Sequence, residues 1–232
     1  MKVMDASELY DPEFRELIKS KKPTIIIPVG SLEQHGAHLP ITTDSDIVTE
    51  IASRLAKKCG FIVFPTISYG VSEEHYPLFN TSIPKTTLRT ILFNIMKSLL
   101  DNGVKNFFIL NGHHGNRRVG ELRYKQFMWC PIYSYWHFMK HEFDHAGFVE
   151  TSIMLAISDK VKMKKAKKGF TTKGLSEKEI QRIKKLSTER GGFPKVAKNG
   201  VWGDPTGATK KDGEKFLAEI VRNLAKESIL TY

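Results

Sequence analysis

Apolar residues fall in short runs that alternate with stretches of helical periodicity. The short runs are rich in β-branched or aromatic residues, which predicts buried strands at 24–30, 61–64, 106–110 and 130–135. Apolar residues spaced three and four apart predict helices at 44–58, 85–100, 117–128, 150–157 and 210–230. This alternation predicts a three-layer α/β/α fold with a mostly parallel sheet. With no internal repeat or long linker, residues 1–232 are expected to form a single domain.

Composition narrows the class of protein without identifying it. The 232 residues are 41% hydrophobic and 26% charged, which is typical of a globular chain and excludes a disordered or fibrous one. No apolar run approaches the roughly 20 residues of a membrane span, and no secretory signal is evident. The two cysteines, Cys59 and Cys130, exclude a disulfide framework or a four-cysteine zinc site. We therefore expect a cytoplasmic protein with no membrane partner.

The charge is concentrated in the last third of the chain. The net charge is +11, and residues 158–232 hold 19 basic and 9 acidic side chains. Six lysines lie within 160–168, which leaves nucleic-acid binding open as an alternative. Because no RNP strand, zinc finger or Walker loop accompanies them, we expect no nucleic-acid partner.

The strongest chemical signal follows the first predicted strand. Glu33 and His35 are two residues apart, so an extended segment points both the same way, as a divalent-metal site needs. Asp44 could return to them from a helix start, and its two oxygens could bridge two ions. The alternative is a solvated Glu33, a loop histidine at His35 and an Asp44 that only caps a helix.

Two later segments carry further histidines. The run Asn111-Gly-His-His-Gly-Asn116 follows the third predicted strand, so His113 should reach the same sheet edge as Glu33 and His35. The alternative is a turn with solvated histidines. His145 could act as a general acid or base near a metal, and Glu150 lies near the start of a predicted helix. The alternatives are a surface histidine at His145 and, at Glu150, a first-turn carboxylate favoured by the helix dipole. His75 could line a pocket or simply lie in a loop.

Together these segments resemble the creatininase family of metal-dependent amidohydrolases. The family motifs P-[VL]-G-S-x-E-Q-H-G-x-H-L-P-x-x-T-D, N-G-H-x-x-N and H-A-G-x-x-E-T-S match residues 28–44, 111–116 and 145–152 in that order. A weaker match to the family's G-D-P-x-x-A-T stretch begins at Gly203. The resemblance covers roughly residues 24–225.

The resemblance implies a site with two divalent metal ions. Its metal ligands would be Glu33, His35, Asp44 as the bridging carboxylate, and His113. Creatininase has a glutamate where this chain has Gly115, and we expect Glu150 to fill that gap. The implied catalytic residues are His145 and Glu150, and His75, His114 and Asn116 are weaker pocket candidates. Fe(II) is the expected metal, with Zn(II) or Mn(II) as alternatives.

The resemblance also implies a reaction. A hydroxide held between two ions about 3.5–4 Å apart would attack an amide carbon, and His145 would protonate the departing nitrogen. The expected substrate is a nucleotide-like small molecule, a formylaminopyrimidine ribonucleotide monophosphate that releases formate in riboflavin and deazaflavin-coenzyme biosynthesis. A cyclic amide such as creatinine or a small peptide is the alternative. The family also implies a homo-oligomer, a dimer or larger.

Overall fold

A parallel sheet forms the centre of the computed structural model, which describes residues 4–124, 128–142 and 144–230. The strands are β1 (Met4–Asp5), β2 (Thr24–Val29), β3 (Ile62–Val63), β4 (Asn106–Asn111), β5 (Leu122–Tyr124), β6 (Met128–Cys130) and β7 (Ile132–Ser134). The helices are α1 (Asp11–Lys21), α2 (Thr43–Cys59), α3 (Lys85–Asp101), α4 (Phe148–Ile157), α5 (Glu177–Ser187), α6 (Phe193–Val196) and α7 (Lys210–Leu230). Five strands pair in parallel in the order β1-β3-β2-β4-β7, and β5 and β6 form an antiparallel pair.

Each face of the sheet is covered by helices, because its strands are apolar on both sides. On one face, side chains of α2, α4 and α7 pack in a single cluster that includes Ile51, Ile153 and Leu224. On the other face, α3 packs through Leu88 and Met96, with α1 contributing partly buried residues. The three-layer α/β/α prediction is therefore confirmed. Within the described ranges, no helix is long and apolar enough to cross a membrane.

The central strand pair determines where the site lies. β2 and β4 are in register along their full length, and Val29 at the end of β2 is opposite Asn111 at the end of β4. The next residue, Gly112, donates its backbone N–H to the carbonyl of Val29 at 2.8 Å. A Cβ at Gly112 would lie 2.7 Å from the backbone oxygen of Asp44, so only glycine allows α2 to begin this close to the strand ends.

The predicted helix over 117–128 is wrong for the residues described there, since 125–127 lie outside them. A 3-10 helix at His114–Val119 ends at Gly120, whose φ of 67° breaks helical geometry. The chain then enters the β5–β6 hairpin, where Leu122 packs into the core below α3.

The predicted strand over 130–135 is two strands. Pro131 separates them, and having no N–H it cannot donate to a ladder. β6 pairs with β5 while β7 pairs with β4, so the two halves join different sheets. Helices α1 and α5 and the short helix α6 are not among those predicted from the sequence.

Candidate metal centre

The ends of β2 and β4 deliver three of the polar side chains to one buried point. Glu33 and His35 follow β2, and His113 follows β4. Each is at most 3% exposed, which excludes solvated loop positions. The register of the two strands explains why residues almost 80 positions apart in sequence become neighbours.

Asp44 lies in the first turn of α2 and is 2% exposed. Its Oδ2 atom is 3.0 Å from His113 Nδ1, and its Oδ1 atom is 3.2 Å from His35 Nε2. Each carboxylate oxygen therefore faces a different histidine. The cap interpretation does not describe this geometry, since Thr42 occupies the N-cap position and Asp44 points into the site.

Two groups of candidate ligands share Asp44. The first contains Glu33, Asp44 and His113, and the second contains His35, Asp44 and Glu150. In each group the candidate ligand atoms lie within 4.8 Å of one another. Glu33 Oε2 is 3.2 Å from His113 Nδ1, and Glu150 Oε2 is 3.6 Å from His35 Nε2. Two ligand atoms bound to one ion at about 2.1 Å would lie roughly 3.0–3.4 Å apart, so the first of these spacings suits a shared metal ion and the second is slightly longer than that range.

The electrostatics of the cluster also suit cations. Burial, against the opposing effect of His35 and with a further contribution from the nearby Asp44 carboxylate, raises the pKa of Glu150 to about 8. Glu33 Oε1 and Asp44 Oδ2 are buried and accept no hydrogen bond. Three buried carboxylates, two of which each have an oxygen that accepts no hydrogen bond, are costly unless positive charge compensates them, and two divalent ions would do so.

Glu150 reaches the centre from the first turn of α4. Its Oε2 accepts a hydrogen bond from the backbone N–H of Ala146 at 2.7 Å, and Tyr135 donates its hydroxyl to Oε1 at 3.4 Å. Ala146 has a φ of 51°, an unfavourable conformation for a residue with a Cβ. The Ala146 turn thus aims Glu150 at His35, 3.6 Å away.

Gly115 has no room for a glutamate. A Cβ there would lie 2.0 Å from the backbone oxygen of Val71 and 2.6 Å from Glu74 Oε1. This loop packing excludes the creatininase arrangement at this position. The carboxylate near His35 comes from Glu150 instead.

His145 lies beside the two groups and faces both. Its Nδ1 is 4.0 Å from Glu33 Oε1, and its Nε2 is 3.1 Å from the backbone oxygen of Gln34. Backbone hydrogen bonds in both directions join it to Trp202, at 3.0 and 2.8 Å. Burial lowers the pKa of His145 well below its ordinary value, and the neighbouring His35 lowers it further. The His145 ring is therefore neutral at physiological pH.

A cavity of about 420 Å³ opens above this cluster. His75 lies in its wall, with Nε2 3.0 Å from Glu33 Oε1 and Nδ1 2.9 Å from the side-chain nitrogen of Gln34. His114 also lines it, and burial together with Arg117 lowers its pKa to about 4.

Asn116, the third weak pocket candidate, has a different role. Its side-chain amide donates to the backbone oxygen of Gly30 at 3.0 Å and accepts from the backbone N–H of Val71 at 3.0 Å. It therefore joins the end of β2 to the loop before α3, and it is not among the described residues that line the cavity.

Sequence reasoning missed two buried polar residues near the centre. Glu74, 5% exposed, lies 3.7 Å from His113 Nε2 and is paired with Arg118 at 3.3 Å. Gln34 contacts both His75 and His145. Gln34 lies inside the first motif, next to Glu33, so the sequence alone could have indicated that it belongs to the site. Glu74 lies on a single 3-10 turn that has no periodic pattern.

The two-group arrangement predicts that Glu150→Gln lowers metal content from two ions per chain to one. The amide keeps the side chain's shape but removes the anionic oxygen that faces His35. Elemental analysis of the purified variant measures this directly. Glu177→Gln on the exposed start of α5 is the control and should retain both ions. Full metal content in Glu150→Gln would show that this carboxylate is not a ligand.

The chain matches a known family model over nearly its whole length. The creatininase model, described as creatinine amidohydrolase, matches residues 7–227. A mycofactocin precursor peptide peptidase from Mycobacterium ulcerans (strain Agy99) is 34% identical over 218 residues, covering 88% of this chain and 84% of that protein. A 2-amino-5-formylamino-6-ribosylaminopyrimidin-4(3H)-one 5'-monophosphate deformylase from Methanosphaera stadtmanae is 40% identical over only 102 residues, 41% of this chain and 42% of that protein.

Solved structures share the fold. A mutant creatininase of Zn–Zn type superposes with a TM-score of 0.78 at 23% identity, covering 98% of this chain and 97% of that one. A manganese creatininase superposes with a TM-score of 0.78 at 23% identity, covering 97% of each chain. At this identity the likeness concerns the fold, and the metals named belong to those proteins.

Proposed function

This chain belongs to the creatininase family and is a metal-dependent amidohydrolase, a hydrolase acting on C–N bonds, and we propose that it cleaves a linear amide in a small substrate. The observation that carries the proposal is the sharing of Asp44 between two buried ligand groups below a cavity of about 420 Å³. A cavity of this size suits a small molecule or a few residues of peptide.

The ligand assignment is part of the proposal. Glu33, Asp44 and His113 would hold one divalent ion, and His35, Asp44 and Glu150 the other. When bound, such ions polarise an amide carbonyl and lower the pKa of water to near neutrality. The mixed nitrogen and oxygen donors suit Fe(II), Zn(II) and Mn(II), and Fe(II) is the ion we propose.

His145 would move the proton that amide cleavage requires. If Nε2 carries the hydrogen donated to the backbone oxygen of Gln34, then Nδ1 is left as the acceptor facing Glu33. Its lowered pKa makes the protonated ring a strong acid, which favours proton transfer onward to the departing nitrogen.

Two substrate classes follow from different observations. The formyl amide of a formylaminopyrimidine ribonucleotide monophosphate is the class expected from sequence, and a deformylase matches part of this chain at 40% identity. A peptide amide is favoured by the longer match, which covers 88% of the chain. Both are linear amides that the same centre would cleave.

The deciding experiment is a parallel assay on anaerobic protein reconstituted separately with Fe(II), Mn(II) or Zn(II). One arm measures formate from the formylaminopyrimidine ribonucleotide monophosphate, and the other measures cleavage of short peptides. Turnover in either arm that stops on chelation and returns with metal supports the proposal and selects the substrate class. Protein that holds two ions per chain yet cleaves neither would refute linear-amide hydrolysis, and creatinine would be tested next.

Three further expectations stand as proposals. We propose a homo-oligomer of two or more chains, a cytoplasmic location and no nucleic-acid partner. The enclosed position of the metal centre supports the last, because a duplex cannot enter a cavity of about 420 Å³.

A further inference from the structure

Two cationic side chains line the cavity above the metal centre. Arg117 lies on the 3-10 helix after His113, and Lys184 lies in the last turn of α5. Both are exposed, and neither pairs with a carboxylate in the described part of the chain. These cations are therefore available to a ligand inside the cavity.

The neighbouring Arg118, in contrast to Arg117, has a structural role. It pairs with Glu73 at 3.2 Å and Glu74 at 3.3 Å, and it donates to the backbone oxygen of Thr188 just after α5. These contacts fasten the end of α5 to the cavity wall. They also hold Lys184 on the same cavity as Arg117.

Arg117 is held in place by a residue of the cavity wall, but its charge is not paired with a carboxylate there. One guanidinium nitrogen donates to His114 Nε2 at 2.8 Å, and the His114 ring lies 5.9 Å from that of Trp136. The remaining guanidinium donors have no described partner. A planar cation held in this way can offer two parallel hydrogen bonds to a carboxylate or phosphate.

We propose that Arg117, assisted by Lys184, binds an anionic oxygen group of the substrate beside the metal centre. The inference rests on the proposed function and extends it, since it makes the substrate an anion. The chemistry is shared by two sources, the phosphate of a ribonucleotide and the terminal carboxylate of a peptide. The cavity wall is not uniformly basic, because Glu142 also lines it. Binding of the anionic group therefore depends on the particular position of Arg117.

The test compares matched substrates that differ in one charge. The pairs are a formylaminopyrimidine nucleoside against its 5'-monophosphate, and a peptide acid against its C-terminal amide. For the anionic member, Arg117→Ala should lower kcat/KM by about tenfold to a hundredfold, mainly through KM. For the neutral member it should change little. Lys184→Ala should have a smaller effect, and Lys185→Ala is the matched control, since Lys185 is exposed and is not among the described residues that line the cavity.

A binding measurement separates this inference from the proposed function. Calorimetry of the metal-loaded protein with inorganic phosphate and with acetate reports binding without turnover. Weaker binding in Arg117→Ala than in wild type supports the anion site even if no amide is cleaved. Equal binding in the two proteins means that the metal ions alone hold the probe, and equal kcat/KM within each substrate pair means that the charge is not recognised. Either result would overturn the inference while leaving amide hydrolysis standing.

Discussion

Asp44→Asn should abolish turnover and strip most of the metal from a protein that still folds. Each carboxylate oxygen of Asp44 faces a different histidine, at 3.0 and 3.2 Å, and the residue belongs to both ligand groups. An asparagine keeps the volume but offers one weakly coordinating oxygen and no charge. We therefore expect both sites to weaken together and activity to fall by about a thousandfold or more.

The measurements are metal content per chain, turnover with added metal, and thermal unfolding. Asp46→Asn is the matched control, two residues further along α2. Asp46 accepts a hydrogen bond from Thr42 at 2.8 Å and is in neither ligand group, so its loss should cost about 1 kcal/mol of stability or less and no metal. If Asp44→Asn folds and retains two ions with full activity, Asp44 is a buried structural group and the two-group centre is wrong.

The pair of strands that delivers the site could be predicted from sequence. Buried parallel strands have continuous apolar runs, and polar motifs directly after two of them point to one sheet edge. The structure confirms the placement, since Val29 at the end of β2 pairs with Asn111 at the end of β4. The role of Asp44 could not be settled in this way, because a capping and a bridging aspartate both precede a helix. In the structure Thr42 occupies the N-cap position and Asp44 is buried, which argues against the capping role, and the bridging role is the one that we propose.

The remaining wall of the cavity depends on tertiary contacts. The Ser176–Glu179 capping box is a sequence pattern that indicates the start of α5. Even a correct helix there would not have placed Lys184 over the metal centre. That placement comes from Arg118 binding the chain just after α5. Glu74 likewise enters the wall from a loop, where periodicity gives no information.

The error at 117–128 has a local cause. The apolar residues of this segment fit the periodicity of a helix and also the alternation of a strand. The positive φ of Gly120 ends the helical geometry, and the strand β5 follows. This affects the site, because the short 3-10 helix that ends at Val119 carries the exposed Arg117 on the wall of the cavity.

His145→Ala should lower kcat by about a hundredfold to ten-thousandfold while both metal ions stay bound. The ring is held between His35 and Phe193, with ring centroids at 4.3 and 4.8 Å, and its Nδ1 faces the centre. Since the two groups that share Asp44 are complete without it, removal of the imidazole should remove proton transfer and not coordination.

An alternative gives His145 a direct metal contact, because Glu33, His35 and His145 also form a possible ligand group. Metal analysis separates the two roles, since a ligand's loss would release an ion and a proton carrier's loss would not. Added imidazole gives a second readout, because a small base can enter the vacated space and should restore part of kcat only if the ring moves a proton. His141→Ala, at an exposed position four residues earlier, is the control and should retain both metal and turnover. Two bound ions with no imidazole rescue would leave His145 a packing residue and return the proton transfer to Glu150.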